Sequence, residues 1–140
     1  MNDSTYRSVR SLHGRDMEKA VCDKLDITQT LSRGPKACQY DGVDDQDRRV
    51  EIKTIGVMRN TGQLRAGRMA EKKKWCDRLI MEYNGRLFDT AAHSNPEHVM
   101  SILFRASDAT FNPGLEPNDK NTRQNINTKL LLECEIEETV

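Results

Sequence analysis

Two acidic residues and a lysine in the first half of the chain have the types and spacing that phosphate chemistry requires. Asp41 leads into a short polar segment, and Glu51 and Lys53 follow it with one residue between them. Carboxylates are the hard oxygen ligands that Mg²⁺ prefers, and a nearby ammonium group can orient a water molecule and offset negative charge. These residues therefore predict a metal-dependent site for phosphodiester hydrolysis.

A β-hairpin would bring these side chains together. Apolar and charged residues alternate over 50–53, which indicates a strand with one buried and one charged face. The polar cluster at 44–48 is typical of a turn. With a loop at 45–47, Asp41 lies opposite Glu51, whereas a slip of one residue would move Asp41 to the other face.

A third acidic residue lies upstream, on a predicted helix. Met17, Val21 and Leu25 recur every four residues and form the apolar stripe of an amphipathic helix. Glu18 lies beside this stripe, where it could reach over the sheet towards the hairpin acids. The alternative is an exposed first-turn glutamate that the helix dipole stabilises.

Together these residues resemble the PD-(D/E)xK nuclease superfamily, whose usual order is a helix with a Glu, an Asp opening one strand, and Glu-x-Lys on the next. The resemblance covers roughly residues 14–105. It implies an α/β fold with a restriction-endonuclease-like central mixed β-sheet flanked by α-helices, and a metal-dependent endodeoxyribonuclease activity. It assigns Mg²⁺ or Mn²⁺ binding and catalysis to Glu18, Asp41 and Glu51, with Lys53 orienting or activating the attacking water.

One position departs from the family pattern. Tyr40 stands where a proline commonly precedes the aspartate, so Asp44 and Asp45 remain alternative metal ligands. A second Glu-x-Lys triplet, from Glu71 to Lys73, lies in a polar, helix-like run. We interpret it as a solvated face.

Charge is balanced over the chain but not along it. There are 22 Lys and Arg residues and 22 Asp and Glu residues, yet residues 59–86 contain eight basic and three acidic ones, an excess of five positive charges. A basic stretch directly after the candidate metal strand could follow a phosphate backbone. A solvated helix face is the alternative. The predicted nucleic-acid contacts are Arg65, Arg68, Lys72, Lys73 and Lys74.

DNA is the predicted substrate, and the resemblance implies a homodimer because one site of this fold cuts one strand. An RNA endonuclease of the same fold is an alternative, in which His13 could serve as a further catalytic residue. A nucleic-acid-binding module without catalysis is a second alternative. A third is a small interaction protein whose acidic hairpin and tail bind a basic partner.

The remaining pattern predicts one domain over residues 1–140. Its predicted parts are a flexible lead at 1–13, a flexible substrate loop at 57–68, a helix at 65–74, strands at 78–83 and 86–92 joined by Asn84-Gly85, a helix at 95–106, a long loop at 107–126 and a C-terminal strand at 128–138. No apolar run approaches a membrane span and the start lacks the apolar core of a signal peptide, so we expect an intracellular protein, cytoplasmic or nuclear. Four scattered cysteines without a Cys-x-x-Cys pair predict neither a zinc site nor a disulfide framework.

Overall fold

The computed structural model describes residues 16–30 and 39–140. In chain order its elements are α1 (described over 16–24), β1 (Thr28–Gln29), β2 (Gly42–Val43), β3 (Arg49–Thr54), β4 (Gly56–Val57), β5 (Leu64–Ala66), α2 (Met69–Lys72), β6 (Arg78–Tyr83), β7 (Arg86–Asp89), α3 (Pro96–Leu103), β8 (Ala109–Phe111), α4 (Arg123–Leu132) and β9 (Glu135–Thr139). Short 3-10 turns lie at Thr90–Ala92 and Pro113–Leu115. The predicted flexible lead at 1–13, with His13, lies outside the described residues.

The larger of two sheets has six strands in the order β1-β2-β3-β6-β7-β9. Its β3–β6 pair is parallel and its other pairs are antiparallel, so the sheet is mixed. The chain leaves β3, forms β4, β5 and α2, and returns beside β3 in β6, since a parallel pair needs a long connection. The predicted α/β class with a central mixed sheet is confirmed. Among the described residues, no helix is long and apolar enough to cross a membrane.

Alternating side chains of the central strands contribute to two separate cores. On one face, Val50 and Ile52 of β3 pack with Met17 of α1. On the other face, side chains of β6 and β7 pack with α3 and α4. The charged face of β3 shares this second side, because Glu51 lies beside Leu79 in the parallel register.

Two local predictions are confirmed. Asn84 and Gly85 form the tight turn between β6 and β7, and both have positive φ angles (49° and 84°), as this class of two-residue hairpin turn requires. Asn95 caps α3 by accepting a hydrogen bond from the His98 N–H at 3.2 Å, and Pro96 is the first helical residue. This helix ends three residues earlier than predicted.

The segment that follows β3 differs from the prediction. Residues 57–68 are not a flexible loop, and no helix spans 65–74. Instead β4 and β5 form a hairpin that joins β8 in a three-stranded second sheet, and α2 has only four residues. Leu64 and Ala66 are buried while Arg65 is exposed. This strand alternation is too short to stand out from the polar residues around it.

The C-terminal part also differs. The predicted long loop at 107–126 contains β8 and the start of α4, and the predicted strand at 128–138 is the end of α4 followed by β9. Buried Asn125 accepts a hydrogen bond from the Asn112 amide at 3.0 Å, and buried Thr128 accepts one from the Asn112 N–H at 2.8 Å. These polar residues are typical of loops, but here their hydrogen bonds hold α4 against the end of β8.

A largely buried arginine ties the β2–β3 hairpin to the sheet. Arg78 Nη1 donates to Asp44 at 3.0 Å, its Nε donates to Asp89 at 3.0 Å, and Arg48 Nε donates to Asp44 at 2.7 Å. Burial alone would raise the pKa of Asp44, but hydrogen bonds from Arg48, Arg78 and a backbone N–H lower it to about 2. Asp89 also ends β7 before the predicted residue 92, because its carboxylate accepts the Ala91 N–H.

We expect Arg78→Ala to lower the free energy of unfolding by about 3–5 kcal/mol, because it removes the charge shared by two buried carboxylates. Urea denaturation followed by circular dichroism measures this value. Arg105→Ala removes an exposed arginine and should change it by less than about 0.5 kcal/mol. Equal effects of the two substitutions would contradict the role given to Arg78.

Candidate active site

The β2–β3 hairpin has the predicted register up to Gly42, which pairs with Val50. At Asp41 the pairing is irregular, because the Asp41 N–H donates to the same Val50 carbonyl at 2.8 Å, so the predicted backbone pair of Asp41 with Glu51 is not formed. Asp41 meets Glu51 through its side chain instead, by charge and a side-chain hydrogen bond. Glu51 and Lys53 lie two residues apart in β3 and share one face of the sheet.

Asp41 is the central member of an acidic cluster. Its Oδ2 accepts a hydrogen bond from the Ile52 N–H at 2.8 Å, which anchors the carboxylate to β3. Burial and then the charge of Asp41 raise the pKa values of Glu18 and Glu51, which both interact with it. The structure therefore brings together the three acids that the sequence singles out.

Glu51 is the most deeply buried of the three. The residue is 4% exposed, and its Oε2 is one of three buried side-chain polar atoms in the described residues without a hydrogen-bond partner. Burial first, and the charge of Asp41 second, raise its pKa to about 7, although Lys72 and Lys53 act in the opposite direction. A buried acceptor without a partner destabilises the fold until a donor or a cation reaches it.

Glu18 approaches this cluster from α1. It is half-buried, and its Oε1 accepts a hydrogen bond from Gln29 Nε2 at 3.3 Å. Burial and Asp41 raise its pKa, while the bond from Gln29 lowers it in part. Because its side chain contacts Gln29 of β1 and interacts with Asp41, Glu18 faces the edge of the sheet at β1 and is not merely an exposed first-turn residue.

Lys53 is held beside the acids by the backbone of the segment between β5 and α2. Its Nζ donates to the Gly67 carbonyl at 3.0 Å. Burial lowers its pKa, the charge of Glu51 raises it, and the charge of Lys72 lowers it further. The ammonium group therefore has a fixed position and a proton that it holds less firmly than a lysine in water does.

Lys72 lies in the acidic cluster, not on the outer surface. Its Nζ is 3.7 Å from Glu51 Oε2 and donates a hydrogen bond to the Gln39 carbonyl at 3.2 Å. At an effective dielectric constant near 20, opposite charges at this separation attract by about 4 kcal/mol, which helps to offset the burial of Glu51. No sequence signal distinguishes Lys72 within the run 72–74, because the end of α2 decides which lysine turns inward.

The other four predicted nucleic-acid contacts lie outside the cluster. Arg65 forms an exposed ion pair with Asp108 at 3.3 Å, and Lys74 lies 5.3 Å from the centre of the Trp75 ring. The remaining two are exposed at the two ends of α2, namely Arg68 and Lys73. These side chains give the segment between β5 and β6 a basic outer surface.

The alternative ligands are placed differently. Asp44 is buried and its carboxylate is engaged by Arg48 and Arg78. Asp45 is exposed in the turn. Asp44 is therefore a structural residue, and Asp41 is the acid that faces Glu51.

The three acids fit a divalent cation by their chemistry but do not form a closed cage. Within the described residues, no three or more His, Cys, Asp or Glu side chains are arranged to hold a metal ion. Asp41 raises the pKa of Glu18 and of Glu51 by its charge and by side-chain hydrogen bonds, so each of the two glutamates lies against Asp41. They offer only hard oxygen donors, and the unpartnered Glu51 Oε2 is among them.

Comparisons with known proteins identify no relatives. No protein-family model matches the chain, and no curated protein or solved structure is significantly similar to it.

We expect the metal-free protein to lose stability as pH rises between about 4.5 and about 7, the ordinary and the raised pKa of Glu51. The folded protein holds this proton more tightly than the unfolded chain, so the contribution is complete below the unfolded pKa and is lost as pH rises through the folded pKa. Melting temperature measured across this range tests it. Glu51→Gln should flatten the profile, and a profile as steep as that of the wild type would contradict the assignment.

Proposed function

We propose that this protein is a Mg²⁺- or Mn²⁺-dependent endonuclease with a restriction-endonuclease-like fold that hydrolyses phosphodiester bonds of DNA. The observation that supports it most directly is the interaction of the Asp41 side chain with Glu18 of α1 and with Glu51, which shares one face of β3 with Lys53. A buried acid and two partly buried ones next to ammonium groups meet both needs of the reaction. The acids supply negative charge for a cation, and the lysines supply positive charge for a phosphate.

Each residue has a defined role in this proposal. Asp41, Glu51 and Glu18 would hold the cation through carboxylate oxygens. A bound divalent cation supplies Lewis acidity to the phosphate and lowers the pKa of a bound water. Lys53, fixed on the Gly67 carbonyl at 3.0 Å, orients the attacking water and stabilises the charge that develops on the phosphate.

The substrate side of the proposal rests on the basic outer surface between β5 and β6. Arg65, Arg68, Lys73 and Lys74 would contact the phosphate backbone beside the site, without reading sequence. Cutting both strands of a duplex requires two sites, so the enzyme would act as a homodimer. It would work in the cytoplasm or the nucleus, where its substrate is found.

A panel of nucleic acids tests the function and the substrate class together. We expect the purified protein to cleave DNA with Mg²⁺ or Mn²⁺ and not with EDTA. The panel contains linear, circular, single-stranded and branched DNA and single-stranded RNA, analysed on gels. Cleavage of RNA alone would replace the DNA assignment by the RNA one, and no cleavage of any member would contradict the function.

Two substitutions test the site. Glu51→Gln and Lys53→Ala should each reduce metal-dependent cleavage by at least about a hundredfold, because each removes a charge that acts on the reacting phosphate or its cation. Circular dichroism should show an intact fold in both variants.

The chain offers matched controls for these two variants. Glu137→Gln alters an exposed glutamate of β9, and Lys129→Ala removes an exposed lysine of α4. Both should cleave at the wild-type rate. Full activity of Glu51→Gln or Lys53→Ala would refute the assignment of the site.

A further inference from the structure

Lys72 lies at Glu51 Oε2, a buried oxygen that has no hydrogen-bond partner. Its Nζ is 3.7 Å from Glu51 Oε2, and the hydrogen bond that it donates goes to the Gln39 carbonyl at 3.2 Å. Charge alone therefore holds the ammonium group to the carboxylate. It can leave Glu51 without breaking a hydrogen bond to it.

Lys72 is also held less firmly than Lys53, because its hydrogen bond goes to the carbonyl of the exposed Gln39 and is longer, at 3.2 Å. Lys53 is tied to the Gly67 carbonyl at 3.0 Å. Lys72 is the last residue of α2, a helix of four residues, and its side chain is 22% exposed against 5% for that of Glu51. Its flexible stem thus runs from the buried cluster to the surface that carries the exposed Lys73.

Two cations cannot share Glu51 Oε2 without strong repulsion, because like charges at about 4 Å repel even at the dielectric of water. A cation held by the carboxylates would therefore drive Lys72 outward. A phosphate bound on the basic outer surface would attract it in the same direction. Both effects favour a second position of the Lys72 ammonium group, further from Glu51 and closer to the phosphate.

We propose that Lys72 is the counter-cation of Glu51 in the metal-free protein and moves to the substrate phosphate when Glu51 holds a divalent cation. The second half of this inference rests on the proposed nuclease function. The first half concerns metal binding and can be tested without any substrate.

The test compares Lys72→Met, Lys72→Arg and Lys129→Met with the wild type. Mn²⁺ binding is measured by calorimetry without nucleic acid at a pH above 7, where Glu51 is ionised. We expect Lys72→Met to bind Mn²⁺ at least about fivefold more tightly, because the metal no longer has to break the attraction between the unit charges of Lys72 and Glu51 about 4 Å apart, which is weakest at the dielectric of water. Lys72→Arg keeps the charge and should restore the wild-type affinity, and Lys129→Met should not alter it.

Cleavage of DNA at saturating Mn²⁺ is the second measurement. Lys72→Met should be slower by at least about tenfold, because a positive group that faces the phosphate is lost. Affinity for the metal and rate of cleavage then change in opposite directions. If Lys72 had only a structural role, Lys72→Met would lower both the affinity for Mn²⁺ and the rate of cleavage.

The outcomes separate this inference from the proposed function. Unchanged or weaker Mn²⁺ binding by Lys72→Met overturns the inference. Tighter binding with a wild-type rate overturns its substrate half and leaves the nuclease function standing. Tighter binding when no protein cleaves DNA or RNA supports the counter-cation role and overturns the nuclease function.

Discussion

The ion pairs between Asp44, Arg48 and Arg78 are the interaction on which the rest of the site depends. They close the β2–β3 turn and attach it to β6 and β7, so they hold the register of the hairpin. In a strand, a slip of one residue exchanges the two faces. Asp41 would then face the apolar core beneath α1, and Glu51 would have no acidic partner. The ion pairs of Asp44 thus determine whether Asp41 and Glu51 lie close enough to form one site.

This hairpin register concentrates negative charge in a partly buried region of the protein. Burial removes water from the Glu51 carboxylate and raises its pKa, and the charge of Asp41 beside it raises that pKa further. The fold offsets this effect with two lysines, one in β3 and one near the end of the crossover that leads to β6. Lys53 comes from the strand itself and Lys72 from the short helix before β6. The clustered acids therefore lower the stability of the metal-free fold, and the same negative charge favours the binding of a cation.

The sequence pattern within single strands, turns and helices predicts the part of the site that these elements position by themselves. Alternation over 50–53 and the polar turn are enough to place Glu51 and Lys53 on one face and to set the hairpin register up to Gly42, and the apolar stripe beside Glu18 is enough to place that helix on the sheet. Tertiary contacts decide the rest. The inward turn of Lys72 depends on where α2 ends, and the helix α4 depends on buried hydrogen bonds of Asn125 and Thr128 that resemble loop chemistry in the sequence.

The strand β9 is the last in the order of the six-stranded sheet, and its outer residues Glu137 and Glu138 are exposed. Edge strands can pair with the edge of another molecule unless charge prevents it. Two copies meeting through β9 would bring like charges into register. This edge therefore resists both aggregation and a continuous sheet between protomers, and it directs any symmetric pairing of the protein to a different surface.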